Sequence, residues 1–507
     1  MNIYTKTADS RPIIPESPLV RASLLFVLIA LACLSVADLE ITTVDPWGEM
    51  ARVGLGIITP NFFATEHLFE ALANTVAFAI IGVAVANVIG FGLALLFRFR
   101  AVRVGCAFVR AVHELFWGLI FLQVFGLSTV TGVLAIAIPY SGIVAKVYSE
   151  ILEEADKTPL KSLPAGTNSI STYLYVRIPD VWAHFKTYSF YRLECGLRSS
   201  AVLGFVGLPT LGFHLETAFK QGHFSEVSAL LILFYIVIAT IRQWVHAKLV
   251  PVYILLALWV LPGGAPIMWE NAIRFFTSDI IPHPLRVAET IDAASLSALW
   301  AWFADLFTNQ ALPGIANTLV LTMIALVGSG ILTLLFFPLI SPLFFGRFGR
   351  TAGHVFLVVA RSTPEYILAY ILLQLWGPSM IPAVIALALH NGAIIGHLMG
   401  RYTEEMALRP DRSSGLNLYA FEALPRIYPQ FLAFLFYRWE VILRETAILG
   451  ILGIATLGFF VDSAFSEIRI DKALVLILIT ALLNIAVDAL SRYIRSRLRL
   501  QTTPEVK

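Results

Sequence analysis

The stretch TVAFAIIGVAVANVIGFGLALLF, residues 75–97, runs for 23 positions without a charged side chain. About 20 such residues cross the hydrocarbon of a bilayer as a helix, whereas a barrel strand needs only about 9–11. Comparable runs begin at Leu24 (LLFVLIALACLSVA) and at Ala473 (ALVLILITALLNIAVDAL). A backbone in lipid must satisfy its own hydrogen bonds, so runs of this length predict helices. Composition agrees: the chain is 58% hydrophobic and 14% charged, where a soluble domain is about 25% charged. The expected fold class is all-α and integral to a membrane.

The chain also repeats itself. Residues 191–213 (YRLECGLRSSAVLGFVGLPTLGF) and 437–459 (YRWEVILRETAILGILGIATLGF) align without a gap and are identical at 13 of 23 positions. The tripeptide ANT at Ala73 recurs at Ala316, and RAVHE at Arg110 recurs as RSTPE at Arg361. Solenoid repeats have periods of about 20–50 residues, so a spacing this long means two copies of a domain. Twelve spans are predicted, at roughly 20–39, 70–97, 104–125, 129–152, 183–207 and 226–246, then 249–263, 314–345, 352–376, 379–401, 430–454 and 472–494. Each half, 1–248 and 249–507, then holds six helices. An even number keeps both copies in one orientation, as parallel repeats.

Arginines set the orientation. RFRAVR (98–103), GRFGR (346–350) and Arg492, Arg495, Arg497 and Arg499 all fall on one side if the N-terminus is on that side, as do Arg242 and Lys248. The positive-inside rule makes that side, and both termini, cytoplasmic. The first 20 residues are polar and lead into an apolar stretch, which predicts an uncleaved first helix rather than a signal peptide. A net charge of +2 gives no reason to expect a nucleic-acid partner. Cys33, Cys106 and Cys195 lie in apolar segments and are expected to be small packing residues.

The long loop after the fourth predicted helix reads EADKTPLKSLPAGTNSISTYLYVRIP, Glu154 to Pro179. Its counterpart after the tenth reads EMALRPDRSSGLNLYAFEALP, Glu405 to Pro425, in a loop taken as 404–425. Each has an acid at its start, a central glycine suited to a tight turn, and a proline suited to the first turn of the next helix. This pattern resembles the coupling loop of ABC importer permeases. RSTPEYILAYILLQLWGP (361–378), RETAILGILGIATLGFFVDSAFSEIRIDKAL (444–474) and VDALSRYIRSRLR (487–499) resemble phosphonate-type members of that family. The likeness covers the five core helices of each half; it is strong over 430–499 and weaker over 70–210.

The resemblance implies a type I importer permease with two permease domains fused in one chain. It also implies two cytoplasmic ATPase subunits, which bind ATP and Mg, and a periplasmic solute-binding protein. Glu154, Ala155, Gly166 and Pro179, with Glu405, Ala407, Gly415 and Pro425, match the ATPase-coupling pattern. The departures are a Gly–Pro spacing of thirteen residues in the first loop against ten in the second, Lys161 where the family favours an acid, and Leu-Pro-Thr after Gly207. No GxxxxGK[ST] phosphate loop occurs, so ATP hydrolysis falls to a separate chain. No bound cofactor or metal is expected.

Charges inside the predicted spans are costly and mark function or packing. Glu194 and Arg198 are four apart, as are Glu440 and Arg444, in the favourable order for a helical pair. Arg198 and Arg444 either meet an anionic substrate such as phosphonate, phosphite or hypophosphite, or merely neutralise their glutamates. Arg110 with Glu114 and Arg361 with Glu365 repeat the spacing in reverse, with a structural or gating role expected. Tyr140 and Ser141 align with His390 and Asn391 in mid-span and are further pathway candidates. FHLETAF (213–219) and FFVDSAF (459–465) are amphipathic and suit a periplasmic rim that receives the binding protein, or a membrane interface. The main alternative is a twelve-helix secondary transporter of the major facilitator kind, although its loop signature lacks the usual Asp here. A membrane enzyme is disfavoured, because no metal-spaced cluster or nucleophile elbow is visible.

Overall fold

The computed structural model describes residues 17–156, 158, 163–164, 166–263, 266–406, 408–409 and 414–500. Ala407 and Lys161 lie outside the described residues. Among the described residues the chain is helical, with no strand. The first half contains α1 (Pro18–Leu34), α2 (Pro46–Ile58), α3 (Leu68–Leu95), α4 (Arg100–Ala111), α5 (Glu114–Phe125), α6 (Thr129–Glu154), α7 (Ile178–Val202), α8 (Leu211–Gln221) and α9 (Phe224–Trp244). The second contains α10 (Val250–Val260), the 48-residue α11 (Ala293–Ile340), α12 (Arg347–Ser362), α13 (Glu365–Trp376), α14 (Met380–Tyr402), α15 (Leu424–Ile451), α16 (Leu457–Ser466) and α17 (Ile470–Arg497).

Among the described residues six helices are long and apolar enough to cross a membrane, or up to nine if each bent pair counts as one span. Twelve straight spans are not found. Three shorter apolar helices, Pro18–Leu34, Ala247–Val260 and Leu457–Ser466, lie below the length of a full crossing. The predicted spans 104–125 and 352–376 are each broken at right angles: α4 meets α5 at 93° and α12 meets α13 at 94°. In the second break Pro364 forces Thr363 out of the helical region (φ −67°, ψ 119°), as a residue before proline must be. The first break has no proline. There Val112 and His113 are extended, and His113 Nδ1 caps the Leu115 N–H at 3.2 Å.

The recurring motifs make recurring bonds. Asn74 donates to the Pro209 carbonyl at 3.0 Å, and Asn317 to the Ala455 carbonyl at 2.8 Å. The Thr75 hydroxyl accepts from Leu211 N–H at 2.8 Å, and that of Thr318 from Leu457 N–H at 3.0 Å. These bonds pin the turn into α8 onto α3, and the turn into α16 onto α11. At those turns the chain crosses its own preceding helix so closely that a methyl group on Gly212 or Gly458 would strike the Ala201 or Ala447 carbonyl.

Two short helices are exchanged between the halves. α1 packs on α11: Phe26 meets the rings of Phe436 and Trp439 at 5.0 and 5.4 Å, and Tyr428 Oη donates to Ser23 Oγ at 2.6 Å. α10 packs on α3, where Ala257 and Leu261 join the core formed by Phe78 and Ile136. The compact units formed by these contacts each take in a helix from the other side of residue 248 in sequence.

Candidate functional site

A broken helix in lipid frees backbone carbonyls that must find partners. Each break is closed by an arginine from the opposite half. Arg198 on α7 donates to the Arg361 carbonyl at 3.3 Å, and Arg444 on α15 donates to the Arg110 carbonyl at 3.0 Å. A cation at a helix C-terminus also meets the negative end of its dipole. The neighbouring carbonyls are served too. Asn484 donates to Ala111 and Trp117 Nε1 to Val109, at 3.0 and 3.2 Å, while His390 Nδ1 lies 2.9 Å from the Thr363 carbonyl. That contact makes Nδ1 the protonated nitrogen of His390.

The two breaks, with α6, α7, α14 and α15, enclose a buried polar cavity of about 170 Å³. Five arginines and four glutamates line it among the described residues. Arg110 reaches Glu440 at 3.1 Å and Asp488 at 2.7 Å, and Arg492 reaches Asp488 at 3.4 Å. Arg438 Nε donates to Asn391 Oδ1 at 2.7 Å, and its Nη2 lies 3.4 Å from Glu445, which also accepts from Asn391 at 3.1 Å. Ser199 Oγ donates to Glu114 at 2.7 Å and lies 2.9 Å from Tyr140 Oη. Charge is thus nearly balanced, and Arg110 makes its two pairs across the halves.

Several expected pairings do not form. Glu440 pairs with Arg110 rather than Arg444, and Arg444 bonds a carbonyl. Arg198 likewise bonds a carbonyl and Cys195 Sγ (3.5 Å), not Glu194. Glu194 is half-buried and is not among the cavity-lining residues. Arg110 with Glu114, and Arg361 with Glu365, are not helical neighbours because the chain turns by about a right angle between them. Tyr140 and His390 line the cavity, as do Arg110, Glu114 and Glu365. Ser141 bonds back to the Ile138 carbonyl, and Asn391 serves Arg438 and Glu445 from behind. The sequence reading missed Arg192, Arg438, Glu445, Ser199 and Asp488. The first two stand in the repeated segment, and Asp488 is the lone acid of the 473–490 run.

Glu365, His390 and Glu445 bring one ligand atom each within 4.8 Å of one another. His390 has its Nε2 lone pair free, which is the donor set of a cation site. The Arg438 guanidinium against Glu445 already supplies positive charge there.

Residues 335–500 match the family described as the inner-membrane component of binding-protein-dependent transport systems. A cryptic phosphonate transport system permease protein, PhnE2 of Escherichia coli, is 32% identical over 107 residues, 21% of this chain and 88% of that protein. The chain belongs to the binding-protein-dependent ABC importer permeases. Its likeness is to the phosphonate type. The phosphate-import permease protein PhnE of Mycolicibacterium smegmatis is 25% identical over 89% of this chain and 86% of its own. The phosphite transport system permease protein PtxC of Stutzerimonas stutzeri is 29% identical over 42% of this chain and 81% of its own. No solved structure matches. Family and apolar helices together make this permease a multi-pass inner-membrane transport subunit, and the major-facilitator alternative falls.

In this permease the two long loops follow α6 and α14. Glu154 ends α6, Ala155 caps it, and Glu405 is exposed just beyond α14. Gly166 (φ +93°) and Gly415 (φ +64°) both take left-handed backbone with open space around them. Pro179 and Pro425 stand in the first turns of α7 and α15, as expected, but each helix is led by further helical turns. Helical turns begin at Ser169 and Leu416 and pass through π-helical turns, Tyr173–Arg177 and Tyr419–Ala423, just before each proline. A wide turn there spares the proline ring a clash with the carbonyl one turn back. The loops are tied differently: Arg177 donates to the Leu152 carbonyl at 2.6 Å, whereas buried Glu422 accepts from Arg409 N–H at 2.8 Å and contacts Arg426 at 3.1 Å.

Proposed function

We propose that this permease is the membrane pathway of an ATP-driven importer for phosphonate or a related phosphorus oxyanion, such as phosphite, hypophosphite or phosphate. A periplasmic binding protein delivers the anion, and two ATPase subunits drive alternation between outward and inward states. The observation that carries this is the buried cavity whose five arginines against four glutamates leave a small excess of positive charge at the junction of the two halves. Guanidinium suits such anions because it donates parallel hydrogen bonds. The names of the relatives support the same substrate class.

Two six-helix permease repeats in one chain account for the recurring Asn–Thr staples, the paired right-angle breaks and the reciprocal arginine caps. Both termini are cytoplasmic, and the loops 154–179 and 404–425 dock on the ATPases through Glu154, Ala155 and Gly166 and through Glu405, Ala407 and Gly415. Arg198, Arg444, Tyr140 and His390 line the pathway that the anion passes. Arg110, Glu114, Arg361 and Glu365 hold or gate the breaks. The test is uptake of radiolabelled phosphite, methylphosphonate and phosphate in cells carrying the permease with its ATPase and binding protein. Uptake must stop when the ATPase is inactivated. Persistent uptake, or none with any of the three anions, overturns the assignment.

A further inference from the structure

The cavity's arginines are not equivalent. Arg110 and Arg438 hold carboxylates, while Arg198 and Arg444 hold backbone carbonyls. Arg192 has neither among the described residues. Its Nε donates to Tyr188 Oη at 2.7 Å, and its guanidinium carbon stands over the rings of Tyr140, Tyr188 and Tyr191 at 5.5, 5.1 and 5.4 Å. Among the described residues its two terminal nitrogens have no hydrogen-bond partner. Arg438 stands at the matching place in the repeat, 246 positions on, yet there Asn391 and Glu445 replace the tyrosine cage. Cation–π contacts hold a guanidinium in place, at about 0.5–2 kcal/mol each, but do not cancel its charge. A buried charge without a counter-ion is costly, and an arriving anion removes that cost.

We infer that Arg192 is the oxyanion-binding residue of the cavity, and that the pathway holds its anion on one side only. This rests on the proposed function as a phosphorus oxyanion importer. With Nε fixed by Tyr188, the paired terminal N–H groups of this cavity-lining residue are left as a fork that fits two oxygens of one tetrahedral anion. The three tyrosines limit the rotamers of Arg192, so little ordering remains to be done on binding. A single fork in a nearly neutral cavity binds weakly, which suits a site that must also release its cargo.

The experiment uses the complete complex in cells and in reconstituted vesicles, at matched membrane levels, with labelled phosphite, methylphosphonate and phosphate. Arg192→Lys keeps the charge but loses the fork, and it should lower uptake about tenfold or more. Tyr188→Phe frees Nε and should lower it about threefold. ATP hydrolysis stimulated by loaded binding protein should continue in both, which a merely misfolded permease would not allow. Wild-type uptake by either variant overturns the inference. If the unsubstituted complex takes up none of the three anions, the proposed function fails instead.

Discussion

The Arg110 cluster is where one substitution should cost most. Arg110, Glu440 and Asp488 expose only 11%, 10% and 8% of their side chains, with separations of 3.1 and 2.7 Å. At an effective dielectric of about 20, each contact is worth about 5–6 kcal/mol of attraction, most of which offsets desolvation. Replacing Arg110 with Leu leaves two carboxylates buried together. Breaking a buried pair in this way costs about 3–5 kcal/mol, whereas removing every member is close to neutral. Arg110→Leu should therefore lose thermal resistance in detergent, followed by size-exclusion of heated samples, and accumulate poorly in membranes. The triple variant Arg110→Leu, Glu440→Gln, Asp488→Asn should recover at least half of the loss. An Arg110→Leu protein as heat-resistant as the parent, or a triple variant worse than the single, would refute the reasoning.

Cysteine at Arg100 or Arg347, both exposed first residues of amphipathic helices, should be labelled only from the cytoplasm; labelling from outside would reverse the topology. Arg198→Lys and Arg444→Lys retain a donor for the capped carbonyls and should keep uptake within about twofold of normal, whereas a tenfold loss would move the anion contact from Arg192 to them. Gly166→Leu should abolish ATPase-coupled uptake without lowering membrane levels. Gly166→Asn, which tolerates left-handed backbone, separates strain from docking, since it should still uncouple if docking needs a bare backbone. Thr75→Val leaves the Leu211 N–H unpaired and should destabilise the protein by about 1–3 kcal/mol in the same heating assay.

The all-helical membrane class was legible because apolar length is a property of the string itself, as is the internal identity of the two long segments; the count of twelve spans was not, because several apolar stretches are bent or too short to cross alone. The Asn–Thr motif was legible too, since its repetition marked it before its bonds were known. The right-angle breaks were half legible. Pro364 announces one, but Val112 and His113 carry no breaker, and only the tertiary partners that satisfy the freed carbonyls make that turn affordable. Missing the breaks led directly to the mistaken pairs Arg110–Glu114 and Arg361–Glu365, since four-residue spacing means contact only along an unbroken helix; Glu440 and Arg444 share an unbroken helix, but each is taken by a partner from the other half. The pairs that Arg110 makes with Glu440 and Asp488 join residues more than 300 positions apart, and no local pattern encodes them. Arg192 was overlooked because its environment is a tyrosine cage assembled from two helices.

The exchanged helices also set a timetable for assembly. α10 emerges from the ribosome when α3, its partner, has long been in the membrane. α1 must wait, because its partner stretch Leu312–Phe336 begins 278 residues after Leu34 (312 − 34), about 15–60 s at about 5–20 residues per second. Through that interval α1 rests in lipid unpaired, and its uncharged stretch from Ala22 to Leu34 allows it to do so with its one charge, Arg21, near its N-terminal end. A chain arrested before residue 312 would thus present a lone membrane helix to quality-control proteases, while the first compact unit, completed by α10, would already be closed.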